Sequence, residues 1–181
     1  MFCAQSQIPS KLQNCDPTKI VGLISDTHVP TRARSIPEKA NKVFENVDFI
    51  VHAGDLVELT VIEKLEQIAP VLAVHGNMDE PETRKQLPKI NSFKILNWRI
   101  GVMHDPGALF GIRKMIKIVR QNSFDVLVYG HTHSPHVRWE GGTLFINPGS
   151  PTNPIPPFLV KPSIGLLRIA TGKITPEIVQ I

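Results

Sequence analysis

Side chains of types that bind metal ions follow short apolar stretches throughout the chain. They are Asp26, His28, Asp55, Asn77, His104, His131 and His133. Imidazole nitrogens with carboxylate and amide oxygens suit Mn²⁺, Fe or Zn²⁺, and no cysteine lies among them to favour a thiolate site. Because side chains alternate along an extended chain, Asp26 and His28 would share one face, as would His131 and His133. Each pair alone is ordinary loop chemistry, but the joint pattern predicts a metal site.

Short strands and amphipathic helices must position these side chains. Strands are predicted at 20–24, 49–51, 71–74 and 125–129. Helices are predicted at 36–47, 57–68 and 109–121. Hairpins are predicted over 93–103, 137–146 and 164–181. This order indicates an α/β fold with a mixed sheet or two stacked sheets and helices outside. The candidate ligands all follow strands, where ligands bind in folds built on parallel strands.

Length and composition limit the class of protein. The chain has 181 residues, of which 41% are hydrophobic and 20% charged, so one globular domain can form without disulfides. Residues 1–17 are polar and aperiodic and are predicted to extend from a domain over 18–181. The net charge of +4 is scattered, which predicts no specific nucleic-acid partner. Cys3 and Cys15 lie in the extension, and no signal peptide or membrane-spanning run is visible, so we expect a cytoplasmic protein without a membrane partner.

Five blocks of sequence together resemble the motifs of the calcineurin-like metallophosphoesterases. They are Ser25-Asp26-Thr27-His28, Gly54-Asp55, Gly76-Asn77-Met78-Asp79, His104 and Gly130-His131-Thr132-His133. A later block, Asn147-Pro148-Gly149-Ser150, resembles one of the small prokaryotic phosphodiesterase branch, near which a retromer subunit of the same fold belongs. The resemblance covers residues 19–181. It implies a four-layer α-β-β-α sandwich of two mixed sheets flanked by helices.

The resemblance also implies a dinuclear metal centre. One divalent ion would be held by Asp26, His28 and His133, the other by Asn77, His104 and His131, with Asp55 bridging. Mn²⁺ is the favoured ion, with Ni²⁺, Zn²⁺ or Fe as alternatives. Two such ions, two aspartates and a bridging hydroxide would leave a net positive charge facing a phosphate. The implied reaction is hydrolysis of a small or nucleotide-type phosphodiester by that metal-bridging hydroxide.

Two positions depart from the family pattern. Many relatives place a histidine, thought to protonate the leaving group, where this chain has Met78. Because a thioether cannot donate a proton, His75 is the candidate proton donor or a supporting group beside the site. Asp105 stands where the family usually has glycine. It would either orient His104 or reshape the pocket against highly charged substrates.

Several functions stay open from the sequence. The leading one is a metal-dependent phosphodiesterase, and its rival is a phosphomonoesterase or nucleotidase using the same centre. A non-catalytic protein-binding scaffold, like the retromer subunit, is the third, although the filled ligand positions favour an enzyme. His52 and His136 are predicted to pack or to face solvent. The apolar segment 156–160 is either a contact in a homo-oligomer or packing beneath its loop.

Overall fold

Two five-stranded mixed sheets form the centre of the fold. The structure is a computed structural model and describes residues 18–156 and 159–181, so the predicted extension with Cys3 and Cys15 lies outside the described residues. The strands are β1 (Thr18–Ile24), β2 (Phe49–His52), β3 (Val71–Ala73), β4 (Ile90–Ile95), β5 (Trp98–Met103), β6 (Val126–Val128), β7 (His136–Glu140), β8 (Thr143–Asn147), β9 (Ser163–Ala170) and β10 (Lys173–Gln180). The helices are α1 (Glu38–Phe44), α2 (Thr60–Glu66), α3 (Pro81–Gln86) and α4 (Ile112–Asn122), with a short 3-10 helix at Ala108–Phe110.

Each sheet has three adjacent parallel strands, and its other two strands join by antiparallel pairing. The first sheet has the order β10-β9-β1-β2-β3, in which β1, β2 and β3 run parallel. The second has the order β4-β5-β6-β8-β7, in which β5, β6 and β8 run parallel. The carboxyl ends of parallel neighbours lie at one edge of a sheet. The loops that follow these strands are therefore neighbours, which is the arrangement that a ligand site requires.

Alternation along the strands divides the apolar residues between three core clusters. In β1, Val21 and Leu23 pack between the two sheets with residues of β6 and β8, whereas Ile24 packs against α1 and α2. On the outer face of the second sheet, Leu127 and Phe145 pack against Met115 and Val119 of α4. The layers are therefore helices, sheet, sheet and helix, which confirms the four-layer α-β-β-α sandwich of two mixed sheets.

The helices differ from the prediction in length and number. The first begins at Glu38 because Pro37 is extended, with ψ 136°. The third predicted helix is divided by Gly111, whose φ of 91° is outside the helical region. The six-residue α3 was not predicted, since its polar sequence has no apolar period. None of the helices among the described residues is long and apolar enough to cross a bilayer.

Candidate metal centre

Four of the predicted ligands meet in a first group. Nitrogen or oxygen atoms of Asp26, His28, Asp55 and His133 all lie within 4.8 Å of one another, and all four residues are buried. They come from the loops after β1, β2 and β6, so both sheets contribute. The Nε2 atoms of His28 and His133 are 3.2 Å apart, and His133 Nε2 is 3.3 Å from Asp26 Oδ1. The donors converge on one small volume.

The other three predicted ligands form a second group beside the first. Asn77 Oδ1 lies 3.1 Å from His104 Nε2 and 3.1 Å from His131 Nδ1. Asp55 joins the two groups, because its Oδ2 is 3.3 Å from His104 Nε2 and 3.8 Å from His28 Nε2. The structure thus brings all seven predicted residues together, with one carboxylate between two sets of donors.

The orientation of five of the predicted ligands depends on left-handed rather than extended backbone. The φ angles are 53° at Asp26, 45° at His28, 57° at Asp55, 71° at His131 and 57° at His133. Such angles are uncommon outside glycine and collect at functional sites. The extended backbone on which the alternation argument depended is therefore absent from both pairs, although Asp26 and His28 still meet in the first group. Each loop turns at the residue concerned, and His131 and His133 contact different groups.

Glycine is required where the loops of Asp55 and Asn77 meet. A Cβ atom on Gly76 would lie 2.1 Å from Asp55 Oδ1 and 2.6 Å from Asp55 N. Both distances are far below van der Waals contact, so no side chain fits without moving Asp55. The Gly-Asn pair seen in the sequence therefore lets the two loops approach closely.

Asp26 is held by two donors to its carboxylate and by a third to its backbone carbonyl. Ser25 Oγ donates to its Oδ2 at 2.6 Å, and the backbone N–H of His131 lies 3.1 Å from both oxygens. Ser150 Oγ donates to the backbone carbonyl of Asp26 at 2.7 Å. The block at 147–150, which the sequence associated only with a branch of the family, thus supports the loop after β1.

Backbone carbonyls orient two of the histidines predicted as ligands. His104 Nδ1 donates to the Ala53 carbonyl at 2.9 Å, and His133 Nδ1 donates to the Asn153 carbonyl at 2.6 Å. With the proton on Nδ1, each neutral ring presents the Nε2 lone pair to the site. Asp105 accepts instead from Gly107 N at 2.6 Å, so orientation of His104 falls to Ala53.

Asp79 is a supporting residue to which the sequence assigned no role. It is 1% exposed, and its two oxygens accept from Val57 N and Gly76 N, each at 2.6 Å. It therefore ties the loop after β2 to the loop after β3. Met78 N adds a donor to Asp55 Oδ1 at 2.7 Å. In the sequence, the one feature that could have indicated this role of Asp79 was its position in the Gly76–Asp79 block.

The carboxylates and imidazoles of the site shift one another's pKa values. Burial raises the pKa of Asp26. Burial also acts to raise the pKa of Asp55, but the hydrogen bond and charge of His104 lower it overall. Burial opposes protonation of His104, yet the Asp55 hydrogen bond and the Asp26 charge raise its pKa to about 9. Burial lowers the pKa of His28 to about 4. The carboxylates of Asp55 and Asp26 thus favour positive charge at the position of His104.

The donor set fits a divalent ion. His28 Nδ1 is buried and has no hydrogen-bond partner among the residues that the structure describes, and its ring stacks on His133 with centroids 4.9 Å apart. The Nε2–Nε2 distance of 3.2 Å in this pair is close to the separation of roughly 3.3 Å between two nitrogens on a tetrahedral Zn²⁺. Two imidazoles and two carboxylates whose donor atoms lie within 4.8 Å of one another are a set of ligands that a divalent cation binds.

The remaining histidines have different environments. His52 is fully buried, accepts from Gly54 N at 3.2 Å and donates from Nε2 to Thr27 Oγ1 at 3.1 Å, and burial lowers its pKa to about 3. It thus packs as predicted and also links the loops after β1 and β2. His136 is exposed on β7, with Nδ1 3.1 Å from Tyr129 Oη.

His75 lines a cleft beside the second group. Its Nδ1 donates to the Gly76 carbonyl at 3.2 Å. The proposed proton-donor role of His75 stays a prediction. Met78, which occupies the position of the usual family histidine, is 50% exposed.

Comparison with known proteins defines the class. A family model for the calcineurin-like phosphoesterase superfamily domain matches residues 20–172, and the chain belongs to that superfamily. A probable metallophosphoesterase of Methanothermobacter thermautotrophicus is 38% identical over 162 residues, covering 89% of this chain and 92% of the relative. A phosphodiesterase of Methanocaldococcus jannaschii is 33% identical over 141 residues, covering 71% of this chain and 82% of the relative.

A solved structure shares the fold. Vacuolar protein sorting 29 from Cryptosporidium parvum superposes with a TM-score of 0.76 at 24% identity, covering 92% of this chain and 99% of that one. At this identity the likeness establishes the architecture alone. The family and the donor cluster together identify a phosphoesterase domain with a candidate metal-binding site.

Proposed function

We propose that this protein is a dinuclear-metal-dependent phosphodiesterase that hydrolyses a small or nucleotide-type phosphodiester. The observation that carries the proposal is the convergence of seven donors into two groups that share Asp55. In the proposed site, Asp26, His28 and His133 hold one ion, Asn77, His104 and His131 hold the second, and Asp55 bridges. Mn²⁺ is the favoured ion, and Ni²⁺, Zn²⁺ or Fe are alternatives.

The chemistry that divalent ions supply at such a site is charge for the phosphate oxygens and a water of lowered pKa. The chain itself controls how much charge reaches the substrate. Asn77 contributes a neutral oxygen where another carboxylate would cancel positive charge. The Ala53 and Asn153 carbonyls hold two imidazoles in the orientation that presents Nε2. The site is therefore arranged before substrate arrives, which is the basis of electrostatic catalysis.

Proton delivery to the leaving oxygen is the weakest part of this machinery. Met78 has no proton to give, and His75 lines the adjoining cleft with its Nδ1 bonded to the Gly76 carbonyl. That contact leaves His75 Nε2 as the ring nitrogen for proton exchange. Substrates whose leaving groups need little protonation should therefore react fastest.

Support for a diester over a monoester comes from the phosphodiesterase of M. jannaschii, a relative at 33% identity. A phosphomonoesterase or nucleotidase on the same centre is the enzyme alternative. A protein-binding scaffold is the non-catalytic alternative, and the shared fold with vacuolar protein sorting 29 keeps it in the comparison. Hydrolysis assays with a diester and a monoester distinguish these three functions.

The test is hydrolysis of bis(p-nitrophenyl) phosphate against p-nitrophenyl phosphate with Mn²⁺, Ni²⁺, Zn²⁺ or a chelator. We expect metal-dependent release of p-nitrophenolate from the diester and much less from the monoester. Asn77→Ala and His104→Ala should each lower the diester rate by at least about 100-fold, the scale of losing one preorganised charge-stabilising group. Asn97→Ala and His136→Ala are matched controls at exposed positions.

Each alternative predicts a different result in the same assay. Faster hydrolysis of the monoester would favour the nucleotidase alternative. No hydrolysis of either ester with any of these metals would favour the scaffold. Full diester activity in both Asn77→Ala and His104→Ala would show that the two-ion arrangement is wrong.

A further inference from the structure

A cleft of about 290 Å³ adjoins the second group of ligands. We call it the basic cleft and define it by His75, Arg84, Lys89, Met103 and Asp105, which line it together with the ligands Asn77 and His104. Pockets for whole small molecules are usually about 300–1,000 Å³. The basic cleft therefore has room for one arm of a phosphodiester.

Arg84 is held against the wall of the basic cleft by the loop that carries Asn77. Its Nε donates to the Asp79 carbonyl at 2.7 Å, and a terminal nitrogen donates to the Asn77 carbonyl. A guanidinium has five N–H donors, so these two contacts leave others for a ligand. The charge of Arg84 is thus fixed in place beside a predicted ligand while part of its donor capacity stays available.

Lys89 contributes a second positive charge without a countercharge of its own. Its side chain is exposed, and the described part of the structure gives its ammonium no hydrogen bond or ion pair. By contrast, Lys85 pairs with Glu82 at 3.2 Å. Asp105 is the one carboxylate among the cleft residues named above. The cleft therefore carries an excess of positive charge next to the metal centre, even before any ion is bound.

We propose that the basic cleft binds a second anionic group, a phosphate or a carboxylate, on one ester arm of the substrate, and that Lys89 sets this preference. The proposal rests on the proposed function, because the cleft acts on an ester held at the adjoining centre. It narrows the substrate class to diesters with an additional charged group on one arm. An uncharged arm would leave both cations of the cleft unpaired by substrate.

The test compares two substrates that differ by one phosphate group: thymidine 5′-(p-nitrophenyl phosphate) and its 3′-phosphorylated form. Hydrolysis breaks the bond from phosphorus to the nitrophenyl oxygen, adds the oxygen of water to phosphorus and releases p-nitrophenolate from both. We expect a KM about tenfold lower for the phosphorylated substrate, which corresponds to about 1.4 kcal/mol. KM is the informative constant, because tighter binding of this arm lowers it whichever arm departs.

Variants at two lysines assign the effect. Lys89→Ala should remove the preference, and Lys89→Arg should keep it because the charge remains. Lys94→Ala is the matched control, since it removes the same charge from an exposed position on β4 that does not line the cleft. If Lys89→Ala retains the tenfold preference, or Lys94→Ala loses it equally, the assignment to the basic cleft is wrong.

A binding measurement separates this inference from the proposed function. Isothermal titration calorimetry of the Mn²⁺-loaded protein should give about tenfold tighter binding of thymidine 3′,5′-bisphosphate than of thymidine 5′-phosphate, with the difference lost in Lys89→Ala. Absence of hydrolysis with this binding difference intact would contradict the proposed function alone. Hydrolysis with equal KM and equal affinity for each pair would overturn the basic cleft alone. Absence of hydrolysis together with equal affinity for the two nucleotides would overturn both the proposed function and the basic cleft.

Discussion

Replacement of Asp79 by asparagine should weaken metal binding although Asp79 is not among the proposed ligands. The carboxylate joins two ligand-bearing loops through 2.6 Å bonds from Val57 N and Gly76 N. An asparagine oxygen can keep one of these donors, but its amide N–H groups face the other. One buried N–H without an acceptor, together with loss of the charge, should cost about 2–4 kcal/mol of unfolding free energy. Residues that orient metal ligands affect affinity by about 10–100-fold.

The assay is Mn²⁺ titration by calorimetry together with urea unfolding of the same protein. Asp48→Asn is a matched control, because Asp48 accepts from Ile20 N at 2.8 Å at the amino end of β2, the end opposite the site. Both variants should lose stability, but only Asp79→Asn should lose metal affinity, by about 10–100-fold. Equal affinities in Asp79→Asn, Asp48→Asn and the unaltered protein would refute the reasoning.

Three further predictions follow from the structure. The pKa of His52 is lowered from 6.5 to about 3, so the unfolded chain binds a proton first as the pH falls. In metal-free protein, His52→Gln should therefore remove about 2 kcal/mol of the stability lost between pH 7 and pH 5, as measured by urea unfolding at each pH. Gly76→Ala should displace Asp55 and abolish diester hydrolysis in the nitrophenyl assay while the chain stays folded by circular dichroism. Met78→His should add a proton donor near the leaving oxygen. Because a dialkyl diester has a poor leaving group, its hydrolysis should rise by at least about tenfold. Hydrolysis of methyl p-nitrophenyl phosphate, which has a good leaving group, should rise less.

Each of these predictions has a result that would contradict it. If the unaltered protein and His52→Gln lose the same stability between pH 7 and pH 5, His52 is not buried in its neutral form. Normal diester activity in Gly76→Ala would mean that Asp55 does not need its present position. An equal gain for good and poor leaving groups in Met78→His would mean that proton donation is not what position 78 limits.

The main elements of the fold are visible in the sequence because each depends on local pattern. The run Ile20–Ile24 reads as a buried strand, and it forms β1 between β2 and β9. The three hairpins are confirmed as β4–β5, β7–β8 and β9–β10. The α3 helix is polar and only six residues long, so neither period nor length marks it.

The candidate site is less predictable than the fold. Residue type and position after strands were sufficient to select the donors, since each donor lies in a loop that follows a strand. The direction of each side chain was not predictable, because the left-handed turns at Asp26 and His133 depend on contacts from distant segments. The Asn153 carbonyl that orients His133 lies 20 residues away in the sequence, and the Ser150 hydroxyl that holds Asp26 lies 124 residues away. Local sequence pattern carries no record of such contacts.

The central claim is that these side chains hold two divalent ions that share Asp55. Native mass spectrometry of the protein after Mn²⁺ or Zn²⁺ loading and removal of free metal tests it most directly. The account predicts two ions per chain in the unaltered protein and one in Asn77→Ala, because Asn77 belongs to the second group only. No bound ion in the unaltered protein, or two ions still bound in Asn77→Ala, would contradict it.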